Sequence, residues 1–231
     1  MTKCFFAIIN TICLIFIILL TSIELPTFNY AFYNYEYNKN ETYDQIGINS
    51  YDLEKVTNKL TGYMRGTEEN LEVYVNINGG IREFFNNLEK SHMVDVKNLF
   101  QIGFAVRNIA IVIFIITTII AFVYKRRPAL KEYALSYIIG NVLFLLSCGA
   151  LTGVILSDFN KYFTIFHEIF FDNDLWILDP STDLLINIVP LGFFIDIFTA
   201  VVAIFFLISI IFTIISIAYL KSGNKEAGGA H

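Results

Sequence analysis

The sequence predicts an all-α membrane protein with a small mixed extracellular cap, built on four transmembrane helices with the N and C termini cytoplasmic. Three observations lead there. Of the 231 residues 55% are hydrophobic, and the mean hydropathy of +0.58 is too high for a water-soluble domain. Four apolar runs reach the roughly 20 residues that a helix needs to cross a bilayer. Basic residues gather on one side of those runs and acidic residues on the other.

The first span is residues 1–23. Lys3 precedes its apolar run, as in a signal peptide, but the run continues to about Leu20. No small-x-small cleavage site follows in Thr21-Ser22-Ile23-Glu24-Leu25-Pro26, so the helix is expected to be retained. Residues 24–103 form the extracellular cap and 104–124 the second span. Residues 125–132 are a cytoplasmic loop, and 133–156 the third span. Residues 157–194 make a second extracellular segment, 195–220 the fourth span, and 221–231 a cytoplasmic tail. That tail is Gly- and Ala-rich and expected to be disordered; its His231 is left out of any site. Lys125, Arg126, Arg127 and Lys131 crowd the short loop, and Lys3, Lys221 and Lys225 fall on the same side. The excess of Lys and Arg in short cytoplasmic segments fixes this orientation.

Within the cap, residues 29–49 are rich in Tyr and Asn and show no clear period. Ser50 is placed to cap a helix. Leu53, Val56, Leu60, Tyr63 and Met64 then recur at helical spacing, and Gly66 ends that helix. Leu71, Val73, Val75 and Ile77 alternate with Glu72, Tyr74 and Asn76, which predicts a half-buried strand. Asn78-Gly79-Gly80 supplies a turn. Helical spacing returns at Phe84, Phe85 and Leu88 and runs through Val96, Leu99 and Phe100 toward the second span. A cap this short buries little core alone and is expected to lie on the membrane surface.

The formal net charge is −5. The cap holds twelve acids from Glu24 to Asp95 against seven Lys or Arg, so the charge comes from the outer face and a nucleic-acid partner is excluded. Cys4, Cys13 and Cys148 all fall in spans, leaving the outer segments without a disulfide or a thiolate nucleophile.

Apart from His231 the chain has two histidines, His92 and His167. Each sits where a water-facing segment meets an apolar span, on the same side of the membrane. Imidazole titrates near neutral pH, so two of them suggest acid–base chemistry at a lipid–water boundary; a solvated interfacial histidine is the plain alternative. In Glu89-Lys90-Ser91-His92-Met93-Val94-Asp95-Val96-Lys97, Asp95 lies three residues on and can reach the His92 ring, with Glu89 one turn earlier on the same face. A carboxylate there would stabilise an imidazolium. The second cluster runs from Phe166-His167 through Phe170, Asn173, Trp176 and Asp179-Pro180, with Asp183 and Pro190 beyond. Its aromatics suit an acyl pocket or an interfacial belt.

On these residues the chain resembles the lipoprotein intramolecular transacylase family of Gram-positive bacteria. The resemblance is carried by Glu89-x-x-His92-Met93-x-Asp95-Val96, by Phe166-His167-x-x-Phe170 with Trp176, Asp179-Pro180, Asp183 and Pro190, and by Arg65-Gly66 in the cap. It covers nearly the whole chain. It implies an acyltransferase acting on diacylglyceryl lipoproteins, which moves the sn-2 acyl chain to the α-amine of the same N-terminal Cys and leaves a lyso-form lipoprotein. It implies His92 and His167 as the catalytic pair, with Asp95, Glu89, Arg65 and Tyr63 in support. Met93, Phe170, Asn173, Trp176 and Asp179 are expected to bind substrate within membrane lipid. No cofactor and no metal are expected. The oligomeric state stays open, a monomer being sufficient.

The chemistry is consistent with these residues. A neutral amine attacks the ester, one His takes its proton, and the leaving glyceryl oxygen receives a proton from the other. Because amine and ester belong to one molecule, proximity contributes as much as ~7–11 kcal/mol for an ideally held pair. Oxyanion donors are needed, from Arg65, Tyr63 or backbone N–H groups. Asp95 favours His92 as the base. Two rivals are a metal-dependent membrane hydrolase using the histidines and nearby carboxylates, and a non-enzymatic structural tetraspan. A transporter is disfavoured, because its spans would carry more polar groups.

Overall fold

The computed structural model describes the backbone of residues 2–228 and the side chains of residues 5–123 and 130–222. The side chains of Lys3, Cys4, Lys125, Arg126, Arg127 and Lys225, together with His231 and the end of the tail, lie outside the described residues. Helices α1 (Thr2–Thr27), α2 (Tyr30–Lys39), α3 (Thr42–Ile46) and α4 (Ser50–Arg65) come first. A hairpin of β1 (Tyr74–Ile77) and β2 (Gly80–Glu83) follows, then α5 (Asn87–Ser157), α6 (Phe159–Phe170), α7 (Leu185–Ile188) and α8 (Leu191–Gly228). Among the described residues, four helical segments are long and apolar enough to cross a membrane: Phe5–Thr27, Asn87–Val123, Leu130–Ser157 and Leu191–Ser222. The chain divides into two compact units.

The first unit is Met1–Ile23, Phe104–Val154 and Val201–His231. Helical backbone is continuous through residues 125–132, where the sequence predicts a loop. Lys, Arg, Ala, Leu and Glu there are good helix formers. The run is nevertheless not straight. The Tyr133 hydroxyl donates to the Thr117 carbonyl at 3.0 Å, whereas 16 residues of straight helix would separate them by about 24 Å. Inside lipid there is little hydrophobic force between helices, so polar and small side chains join them. Asn10 of α1 donates to the Thr117 and Thr118 hydroxyls at 3.1 and 3.0 Å. Asn141, fully buried, donates to the Thr213 hydroxyl of α8 at 2.9 Å. A side chain at Gly140 would meet Thr11 at 2.8 Å, so the absent Cβ lets α1 approach α5 closely.

The second unit is Glu24–Gly103 with Ile155–Ala200. Leu53, Val56, Leu60 and Met64 form the inner stripe of α4, as their spacing predicts. The cap sits one residue earlier than Ser50: the Asn49 side chain accepts from the Asp52 N–H at 2.8 Å. Gly66 closes the helix with φ 82°. Leu71 and Val73, just before β1, and Val75 and Ile77 within it are buried. Asn78 and Gly79, at φ 52° and 85°, form the two-residue turn that matches strand twist. The register pairs Ile77 with Gly80 and Tyr74 with Glu83. Strand β2 leaves no signal in the sequence, because its outward residues show no alternation. The Tyr-rich stretch becomes α2 and α3, with Tyr33 and Tyr37 buried. Leu185, Ile188 and Phe193 enter the same core, so residues 24–103 and 155–200 share one interior.

Candidate active site

The first histidine is set by the start of α5. Asn86 and Glu89 form a capping box: the Asn86 side chain accepts from the Glu89 N–H at 3.0 Å, and Glu89 accepts from the Asn86 N–H at 2.6 Å. The other Glu89 oxygen accepts from the Leu185 N–H at 2.5 Å. Glu89 is fully buried, and burial raises its pKa above the ordinary carboxylate value despite these backbone donors. Its task is thus to tie the beginning of α5 to the second segment. Asp183 reinforces the tie, accepting from the Asn86 side chain and from the Asp179 N–H, both at 2.7 Å. His92 follows one turn after Glu89. Glu89, Lys90, Asp95 and Lys97 mark this part of α5 as polar, and the apolar run begins only at Phe104.

The second histidine is set by α6, whose N-terminus is capped by Asp158 accepting from the Lys161 N–H at 3.2 Å. Phe159, Phe163 and His167 lie along one face. His167 Nδ1 is 2.7 Å from the Phe163 carbonyl oxygen. A carbonyl only accepts, so Nδ1 carries the hydrogen and the neutral ring keeps its lone pair on Nε2.

These two starts bring the imidazoles to 6.1 Å between ring centres, inclined by 33°. Both rings are buried, each 7% exposed. Phe171 packs on both, at 5.4 Å from His92 and 5.5 Å from His167. Trp176 lies 4.8 Å from His167, tilted by 31°, and the Phe163 ring is 4.4 Å away. His92 Nδ1 is buried and has no hydrogen-bond partner among the described residues. Burial, followed by neighbouring His167, pushes the His92 pKa down to about 4, with Asp95 acting in the opposite sense. Burial also lowers that of His167, opposed by its bond to the Phe163 carbonyl. Both rings are therefore neutral at neutral pH: each can accept a proton, and neither holds a spare one at rest.

The remaining site residues are placed as follows. Asp95 accepts from the Asn173 side chain at 2.9 Å, and no hydrogen bond joins it to His92 among the described residues. Asp179 accepts from the Ser181 N–H at 2.8 Å and from its hydroxyl at 2.7 Å, shaping the turn before Asp183. These donors hold its carboxyl below the usual carboxylate range. Met93 is buried in the core, and Phe170 is 52% exposed beside Phe166. Lys97 sits over the Tyr63 ring at 4.2 Å, and Arg65 over Phe28 at 4.3 Å. Phe28 in turn packs on Phe100. Phe163 and Phe171 join the site without having been marked by the sequence motifs. The i, i+4 spacing of Phe163 and His167 was the available signal for the first; the second belongs to the aromatic cluster after His167. Among the described residues no group of three His, Cys, Asp or Glu side chains is placed to hold a metal ion.

No curated protein matches the chain. The chain is similar to the solved structure of the membrane-integral lipoprotein intramolecular transacylase Lit from Bacillus cereus, with 20% identity and a TM-score of 0.75 over 97% of this chain and 98% of that one. Two variants of that protein, a histidine replaced by arginine and by alanine, match at 19% identity with TM-scores of 0.73, covering 97% of this chain and 95% and 96% of theirs. The sequence model of the lipoprotein intramolecular transacylase Lit family matches residues 8–194, most of the chain. The chain therefore belongs to the lipoprotein intramolecular transacylase family and is an acyltransferase.

Proposed function

We propose that the chain moves the sn-2 acyl chain of a diacylglyceryl lipoprotein to the α-amine of the same N-terminal Cys, by general acid–base catalysis at His92 and His167. The observation that carries this is the pair of buried imidazoles, drawn from segments far apart in sequence to 6.1 Å. The amine nitrogen attacks the ester carbonyl, a C–N bond forms, and the C–O bond to glycerol breaks. One proton leaves the amine and one arrives at the glyceryl oxygen, so the balance is internal. With both rings neutral at rest, the proton given to glycerol is the one taken from the amine. Burial opposes the cation on both rings; the Phe163 carbonyl partly offsets it at His167 and Asp95 at His92, where neighbouring His167 adds further opposition. His167 is thus the ring better suited to hold that proton, and the base role that Asp95 alone assigned to His92 passes to it.

The aromatic wall of Phe171, Trp176 and exposed Phe170 suits an acyl chain bent back toward its own headgroup. The excess of basic residues on one side of the spans supports cytoplasmic termini and histidines at the extracellular face of a bacterial membrane. Substrate amine and ester lie at headgroup level there, so no peptide backbone needs to enter hydrocarbon.

The test is mass spectrometry of a diacylglyceryl lipopeptide incubated with the purified protein and a chelator. An N-acylated product of unchanged mass, abolished in both His92→Ala and His167→Ala, is expected. An unmodified substrate with folded protein would return the structural tetraspan to first place. A lighter, deacylated product made without chelator and lost with it would identify a metal-dependent hydrolase.

A further inference from the structure

The two edges of the cap hairpin are treated differently. The outer edge of β1 is covered. The Asn78 N–H donates to the Gly47 carbonyl at 2.9 Å, the Asn76 N–H to the Asp52 carboxylate at 3.2 Å, and Lys55 donates to the Tyr74 carbonyl at 3.0 Å. Ile48 bridges to Ile77 on the same edge. The outer edge of β2 has no such cover. The two-residue turn and the bond from the Phe84 N–H to the Val73 carbonyl, at 2.9 Å, set which residues face β1. Alternation along an antiparallel pair then turns the N–H and C=O of Ile81 and Glu83 outward. Among the described residues these groups have no backbone partner. Proteins ordinarily protect such an edge, because it pairs readily with another strand.

The open edge leads into a cavity of about 260 Å³ lined by Arg82, Glu83, Phe84, Asn86, Thr182 and Leu184, among others. Asn86 and Leu184 in its lining flank the Glu89 tie, and His92 lies six residues, about 9 Å, along the helix from Asn86. In sequence, Asn86 at the cavity precedes His92, and the apolar run begins after it at Phe104.

We infer that the open edge of β2, with the cavity at its end, binds the extended peptide that follows the lipidated Cys of the substrate. This rests on the transacylase reading above. An acyl-transfer site must hold a lipid toward the apolar run and send the peptide the other way. Proteins that share only a lipidated N-terminal Cys offer no common side chains beyond it. Backbone hydrogen bonds to a strand edge read no sequence, which suits such substrates.

The experiment compares two substrates: diacylglyceryl-cysteine amide, and a lipopeptide with five residues after the lipidated Cys. The expected kcat/KM favours the lipopeptide by about tenfold, the worth of one or two backbone hydrogen bonds. Ile81→Pro removes the outward N–H while leaving the bonds to β1, since Pro is tolerated where an edge N–H faces out. This variant should retain turnover of the cysteine amide and lose the preference for the lipopeptide. N-methylation of the backbone amides in the lipopeptide should lose it with the unaltered protein, so the test does not depend on folding of the variant. Equal kcat/KM for both substrates, or a preference that survives N-methylation, would overturn the inference while leaving transacylation intact. Failure to convert either substrate would remove the transacylase reading and this inference with it.

Discussion

The indole of Trp176 lies against the imidazole of His167, with 4.8 Å between ring centres and 31° between planes. Its bulk helps to keep that ring dry. Trp176→Ala is expected to lower kcat/KM by about 10–100-fold and to raise the His167 pKa toward its ordinary value, because desolvation is the leading cause of the present depression. Trp176→Phe should keep most of the activity. NMR titration of labelled histidine reads the shift directly; an unmoved titration in the Ala variant would deny the indole this role.

Activity should follow the substrate amine at moderate pH rather than the histidines. The amine ordinarily titrates at about 7.7–8.0, and both imidazoles lie lower, His92 at about 4. kcat/KM is therefore expected to rise about tenfold per pH unit up to the amine pKa and then level off. Stability behaves differently. A His whose folded pKa lies below its unfolded value lets the unfolded state bind more protons on acidification. Its contribution is fully present above pH 6.5 and is lost as pH falls toward about 4. Melting temperatures in detergent check this: a Tm that rises on acidification through that window would contradict the buried neutral pair.

Glu89 holds two backbone N–H groups while fully buried. Glu89→Ala strands both donors and should destabilise the fold by on the order of 3 kcal/mol. Glu89→Gln keeps an acceptor and should cost about 1 kcal/mol. Thermal unfolding distinguishes them. If Gln inactivates the enzyme without changing Tm, the carboxylate has a chemical role that its hydrogen bonds do not reveal.

Asp95 and Asn173 are joined across the two outer segments at 2.9 Å. Asp95→Ala, Asn173→Ala and the double variant should all lower kcat/KM by a similar factor of about three to ten, as one lost hydrogen bond would. Additive effects would show that each residue acts separately, Asp95 by its charge on His92.

Arg65 is engaged over Phe28 and Tyr63 under Lys97. Arg65→Ala and Tyr63→Phe are expected to change kcat by less than about threefold, with a stability cost of about 1 kcal/mol for the lost cation–π contact of Arg65. A loss of kcat beyond tenfold in either would restore it as an oxyanion donor.

What could be read from the sequence divides along physical lines. Periodicity revealed the stripe of Leu53, Val56, Leu60 and Met64 and the alternation from Leu71 to Ile77, because one buried face leaves a repeat in the chain. It missed β2, where Gly80, Ile81 and Arg82 are all exposed and no repeat is imposed. It passed over α6 as a helix, although Phe159, Phe163 and His167 carry the spacing. The histidines were visible as residue types at two boundaries. Their distance depends on the Glu89 and Asp183 ties and on Phe171, contacts made across segments that no local pattern encodes. Asp95 shows the limit of helical spacing: three residues from His92 puts it in range, but Asn173 takes the hydrogen bond.

The Asn10 carboxamide bears on how the protein is made. Its partners, Thr117 and Thr118, emerge from the ribosome about a hundred residues later. A nascent chain with only its first helix inserted would present that amide to lipid with nothing to receive it. Leaving the insertion machinery early is therefore disfavoured, and the first helix is best retained there until the hairpin of α5 arrives. Biogenesis thereby acquires an order, in which the earliest segment to enter the bilayer is among the last to settle.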